Sequence, residues 1–298
     1  MNPLITRASG SRASLTLLAL FVASTLPLPL VAQIQQAGKP LKTPPTVDSL
    51  SAITVRGRLL AEYDWVAWHS TDSILARHPA RGSFDVYVAH RGSTERWTVA
   101  YGRMNAARDT LFIAYEAHQR QSDPNNFDII SYSPARADTG FFARGARALL
   151  VARADFGAPQ RPYNASVLER PDGDLWVYVM PAQTQTNVFP LGGDVRYHVS
   201  ADGRTILTKR QLHNTILERS APLSSANGEL KAGAHTAVLD DIPEDTDVFN
   251  VLVREPEVPE YIVSDAFMYV IATNGAIRYL GRREAILGKD SVPPHRAP

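Results

Sequence analysis

Three runs between Ser83 and His118, "SFDVYVAH", "RWTVAYGRM" and "TLFIAYEAH", alternate polar and apolar residues and are separated by short turns containing Gly or Asn. A period of two is the pattern of a strand with one buried face, and runs this closely spaced predict an antiparallel meander. Further along, the turn sequences "PDGD" at Pro171, "ADGR" at Ala201 and "TNGA" at Thr273 punctuate other β-rich runs. Asp-Gly and Asn-Gly tolerate the positive φ that tight hairpins require. Two segments break the alternation. "RGRLLAEYDWVAWHSTDSILARHP" carries an apolar stripe at Leu59, Leu60, Tyr63, Val66, Ala67, Ile74 and Leu75, with Pro79 as its stop. "GFFARGARALLVARADF" reads as a second helix ending at Gly157. The fold class expected is therefore α+β: mostly antiparallel sheet with a few packing helices.

The ends of the chain have a different character. Arg7 and Arg12 precede an uncharged run from Leu15 to Ala32, broken by Pro27 and Pro29, which reads as an export signal over residues 1–32. The mature chain is expected to be periplasmic or secreted, with no transmembrane span. Residues 33–50 are a Pro-rich linker, 51–288 a single α+β domain divisible into sub-lobes 51–157 and 158–288, and 289–298 a flexible tail. The absence of cysteine excludes a disulfide framework, thiolate chemistry and a Cys-linked lipid anchor. The 31 basic and 30 acidic residues nearly cancel and form no basic run, so no nucleic-acid footprint is present. The expected partner is a protein or a small ligand.

Four groups of residues are candidates for chemistry. Trp65, Trp68, His69 and Asp72 lie close together on the first helix, where His69 and Asp72 share a face, a combination suited to stacking a carbohydrate-like ligand. Arg136, Arg144, Arg147 and Arg153 are spaced along the second helical segment and read as a solvated face. Gly192 and Gly193 lack the Lys and Ser/Thr of a phosphate loop and mark a bend into a strand. His198 and His213 stand on the two arms of the Asp202-Gly203 turn and need not face each other. The fourth group is "GAHTAVLDDIPEDTDVF", which carries His235 and carboxylates at Asp240, Asp241, Glu244, Asp245 and Asp247.

This last stretch resembles, over residues 233–281, the JAB (JAMM/MPN-like) metallohydrolase domain, in which a strand-borne His-x-His and a Pro-Ser-x-x-Asp opening a helix hold zinc. His235 matches the first His, Pro243 and Asp247 match the Pro and the Asp, and "TDVFNVLVRE" would be the helix, capped by Asp245 or Thr246. "PEYIVSD", "FMYVIAT" and "AIRYLG" would be the closing strands. Two positions depart: Ala237 replaces the second His, and Glu244 replaces the Ser that supports an oxyanion. The resemblance makes His235, Asp247 and Glu244 the candidate catalytic residues and His235, Asp247 and Asp241 the candidate metal ligands, with Glu169 an available distant acid. Because catalytic zinc normally keeps three protein ligands, the departures favour a non-catalytic binding role without cofactor on a scaffold derived from such a hydrolase. The alternative is a zinc-dependent peptidase or related hydrolase centred on His235 and Asp247.

Overall fold

The computed structural model describes residues 43–220 and 230–288. The expected export signal, the linker up to residue 42 and the tail at 289–298 lie outside the described residues.

Helix α1 (Val47–Leu75) begins earlier than the apolar stripe indicated, inside the stretch assigned to the linker. Thr46 accounts for this start: its hydroxyl accepts the Ser49 N–H at 3.2 Å, satisfying one of the donors a helix leaves free. Leu50 and Ile53 then supply buried contacts that hold the added turns. The meander follows as β1 (Val86–Arg91), β2 (Trp97–Met104) and β3 (Leu111–Gln119), extended by β4 (Phe127–Asp138), with all neighbours antiparallel. Helix α2 (Phe141–Phe156) ends at Gly157 with φ of 84°. Next come β5 (Tyr163–Glu169), β6 (Leu175–Pro181), β7 (Val188–Gly192), β8 (Val195–Val199), β9 (Ile206–Gln211) and β10 (Ile216–Ser220). Strands β5, β6, β8 and β9 form a second antiparallel sheet, while β7 leaves it to pair with β10. Gly192 and Gly193 make that departure possible. Both have positive φ, and a Cβ on Gly192 would lie 2.3 Å from the Thr215 carbonyl oxygen.

The C-terminal part comprises β11 (Gly233–Thr236), α3 (Asp245–Val253), β12 (Glu260–Val263), β13 (Phe267–Ile271), β14 (Ile277–Arg282) and a short α4 (Arg283–Leu287). Strand β11 pairs parallel with β12, so α3 is the crossover of a β-α-β unit, and β12, β13 and β14 continue antiparallel. The fold is α+β, and no helix among the described residues is long and apolar enough to cross a membrane.

Apolar side chains collect in two cores. The larger joins α1 and α2 to β1–β3, β5, β6 and β8 through residues such as Tyr63, Val88, Tyr101, Leu149, Val177 and Tyr197. The smaller gathers Leu50, Ile53, Val248, Val251, Ile262, Phe267 and Tyr269. The smaller core draws mainly on segments after β10, and α1 contributes to both. Where α1 meets α3 the contact is backbone-close, since a Cβ on Gly57 would stand 2.4 Å from Val248 Cβ and 2.6 Å from the Asp245 carbonyl oxygen.

Of the arginines read as a solvated face, Arg153 is exposed, but Arg136, Arg144 and Arg147 are engaged by other elements. Arg136 stands on β4 and pairs with Glu116 on β3. Arg147 is 7% exposed, and its Nε donates to the Asp202 carbonyl at 2.7 Å. Arg144 donates to the Ala201 carbonyl at 2.9 Å. The β8–β9 turn leaves carbonyls that lack strand partners, and these two guanidinium groups satisfy them.

Two predictions follow from this packing. Gly57→Ala must push α3 away from α1, and it is expected to lower stability by about 1–3 kcal/mol in urea unfolding. The second concerns Glu116. Burial alone would raise its carboxyl, but hydrogen bonds from His118, Arg136 and Tyr132 hold it at about 2. A carboxyl depressed in the folded state stabilises above its ordinary value and loses that contribution as pH falls toward 2. Glu116→Gln should therefore flatten the fall of melting temperature between pH 4.5 and pH 2, measured by thermal unfolding.

Candidate metal centre

The centre is built around the first turn of α3. Glu244 is the N-cap, a position expected of Asp245 or Thr246 from sequence, and it forms a capping box with Asp247. In that box the Glu244 N–H donates to Asp247 Oδ2 at 2.7 Å, which fixes the carboxylate plane and leaves Oδ1 turned inward. Asp245, fully buried, anchors the same turn to three other elements. Its oxygens accept from Arg56 of α1 at 2.9 Å, from the Tyr178 hydroxyl of β6 at 2.7 Å, and from Arg196 of β8 at 2.5 Å. Arg210 of β9 ties down Glu244 and also reaches Asp240 at 2.8 Å. The free N–H groups of a helix start favour this concentration of carboxylates.

Two imidazoles converge on Asp247. His235, on β11, places Nε2 2.9 Å from Asp247 Oδ1. His213, in the link between β9 and β10, places its Nε2 3.0 Å from the same oxygen. Both Nε2 atoms and Oδ1 are buried polar atoms without a hydrogen-bond partner, and the three lie within 4.8 Å of one another. The far side of each ring is tied down by a carboxylate: His213 Nδ1 to Asp194 Oδ1 at 2.7 Å, and His235 Nδ1 to Glu260 Oε1 at 2.7 Å. An ionised carboxylate only accepts, so Nδ1 carries the proton in each ring and Nε2 is left to bind a third group. This carboxylate–imidazole pairing behind a ligating nitrogen is the arrangement found around protein-bound zinc.

The electrostatics describe what the residues do by themselves. Burial works against a charge on His213, but the carboxylates of Asp194 and Asp247 outweigh it and push the imidazole well above its usual range. His235 is raised in the same way by Asp247 and Glu260. Burial would also raise Asp247, yet the two imidazoles hold it far below the ordinary carboxylate range. Glu244 behaves oppositely: burial pushes it up to about 8 despite Arg210 and Arg196. Protons or a divalent cation can supply the positive charge this cluster draws in. With protons on both rings, each Nε2 pairs with Asp247 Oδ1; a single divalent cation would instead bond to all three atoms. Zinc bonds of about 2.0–2.2 Å to tetrahedral donors require donor atoms about 3.4 Å apart, a few tenths of an ångström more than the two distances from Asp247 Oδ1 to the imidazoles.

Of the residues singled out from sequence, His235, Asp247 and Glu244 come together here. Asp241 does not join the three converging atoms; its carboxylate accepts the Ala266 N–H at 3.0 Å. Ala237, at the place of the second motif histidine, packs in the smaller core. Glu169 lies on β5 bonded to Arg144 at 3.0 Å. Trp65, Trp68, His69 and Asp72 lie on α1. There Trp65 packs against the larger core, Trp68 is 47% exposed, and the His69 ring sits between them at centroid distances of 4.2 and 4.5 Å. His213 was not expected at this centre, because the β9–β10 link that carries it lies outside the β11–α3 segment. No family model, curated protein or solved structure matches the chain.

The anchoring of Asp245 yields a prediction. Asp245→Ala leaves Arg196 and the Tyr178 hydroxyl facing each other without the carboxylate, and a loss of about 3–5 kcal/mol is expected in denaturant unfolding.

Proposed function

We propose that the protein holds one zinc-type divalent cation on His213, His235 and Asp247, and that it is an exported metal-dependent hydrolase related to the JAB-like metallohydrolases. The observation that carries this reading is the convergence of three buried donor atoms within 4.8 Å, two of them imidazole nitrogens backed by carboxylates. It also supplies the ligand that the motif lacks at Ala237, since His213 brings the second imidazole from the β9–β10 link. Two imidazoles and a carboxylate form a three-ligand set, and a cation held this way lowers the pKa of a bound water toward neutrality. Among the chain's own groups, Asp247 offers Oδ1 while the capping box retains Oδ2. Glu244, whose carboxyl burial pushes up, stands in the same helical turn as a group able to hold or release a proton. Thr246, also in that turn, has a buried hydroxyl without a partner, a donor of the type missing where Glu244 replaces Ser. The uncharged run before Ala32 supports export.

A second reading, a non-catalytic binding protein with a structural cation, is favoured by one observation. The three donor atoms have essentially no solvent-exposed surface, so no path to a substrate is open in this conformation.

Metal content by mass spectrometry on protein purified without chelator, paired with hydrolysis of a mixed peptide library, separates the readings. One zinc per chain, lost in His213→Ala, with turnover abolished in His235→Ala, is the expected result. Zinc without turnover selects the structural reading, and a metal-free protein overturns both.

A further inference from the structure

The two carboxylates behind the imidazoles differ in their surroundings, and this difference concerns metal affinity. Asp194 is 2% exposed, lies just after the Gly192–Gly193 bend, and gives Oδ1 to His213. Its other oxygen, Oδ2, is buried without any hydrogen-bond partner. His213 is therefore the one side chain that hydrogen-bonds to this carboxylate among the described residues. Glu260 is equally buried but accepts from four donors. Oε1 takes His235 Nδ1 at 2.7 Å and Arg219 Nη2 at 2.6 Å, while Oε2 takes Arg219 Nη1 at 2.8 Å and Arg254 Nη1 at 2.6 Å. Two guanidinium charges compensate it before it can polarise His235.

A carboxylate hydrogen-bonded to the remote nitrogen raises the donor strength of a ligating imidazole, and a cation on that carboxylate takes the effect away. Building on the metal reading above, we propose that Asp194 is the positioning residue that sets zinc affinity through His213. The Arg219–Arg254 clamp on Glu260 then keeps His235 a weaker donor and limits that affinity. The two imidazoles are unequal by construction: one anchors the cation and the other is moderated.

The proposal predicts effects of opposite sign. Asp194→Asn keeps an oxygen acceptor for Nδ1–H but removes the charge, and should weaken zinc binding about 10–100-fold. Arg219→Gln removes one of the compensating charges, leaves Arg254 on Oε2, and should tighten zinc binding by about 3-fold or more. The measurement is competition with a chromophoric zinc chelator on the full chain, with thermal unfolding in zinc-free buffer to check that each variant folds. Tighter binding in Arg219→Gln supports the inference even if Asp194→Asn fails to fold, because damage to a merely structural contact cannot improve affinity. Unchanged or weaker binding in Arg219→Gln overturns it while leaving the metal reading intact. A wild-type chain that takes up no zinc overturns the metal reading, and the inference falls with it.

Discussion

A single carboxylate oxygen, Asp247 Oδ1, stands between two imidazole nitrogens in the interior, and the surrounding structure is arranged to keep it there. A buried anion needs compensation, and here it comes from three directions of the chain: the capping box from its own helix, His235 from β11, and His213 from the β9–β10 link. Each compensating group needs support of its own. Asp194 and Glu260 hold the rings, and Arg219 and Arg254 hold Glu260. The result is a chain of alternating charges that links the second antiparallel sheet to the C-terminal β-α-β unit. A buried network of this kind tolerates little partial satisfaction, which accounts for the number of elements converging on one helical turn.

The scaffold aims that turn. Asp245 is held by α1, β6 and β8, Glu244 by β9, and the Asn250 side chain donates to the Pro190 carbonyl of β7 at 3.3 Å. Gly57 permits α3 to lie against α1 with almost no intervening side chain. The polar anchors decide the orientation of α3, and the smaller core beneath it supplies apolar burial. This division of labour suits a site whose ligands come from separate segments, because an error of about 1 Å at any one of them would undo the convergence.

Much of the scaffold was legible in the residues. The meander, the end of α2 at Gly157, the bend at Gly192–Gly193 and the turn at Asn274-Gly275 all follow from period and turn chemistry, which are local properties. What was not legible depended on distant partners. The start of α1 at Val47 rests on a cap at Thr46 and on contacts made by Leu50 and Ile53 with residues nearly two hundred positions away. Arg144 and Arg147 look like a charged surface until the carbonyls of the β8–β9 turn are placed beside them. In the centre, His235 and Asp247 were visible because one β-α-β segment carries both. His213 was not, because no spacing rule relates the end of β9 to β11. The signal available in sequence was an unexplained His next to a strand end, and that signal has many ordinary explanations.

Helix α1 has an early segment whose apolar partners are made late. Its residues Leu50 and Ile53 belong to a core completed by Val248, Val251 and the strands after them, whereas its later turns pack on strands that follow directly in the chain. During vectorial synthesis, the second half of this helix can therefore settle on the meander while its first turns wait for almost the entire polypeptide to arrive. Closing so long a loop is slow compared with local pairing. The final event of folding would then be the docking of α3 against α1, and the three donor atoms would meet only at that moment.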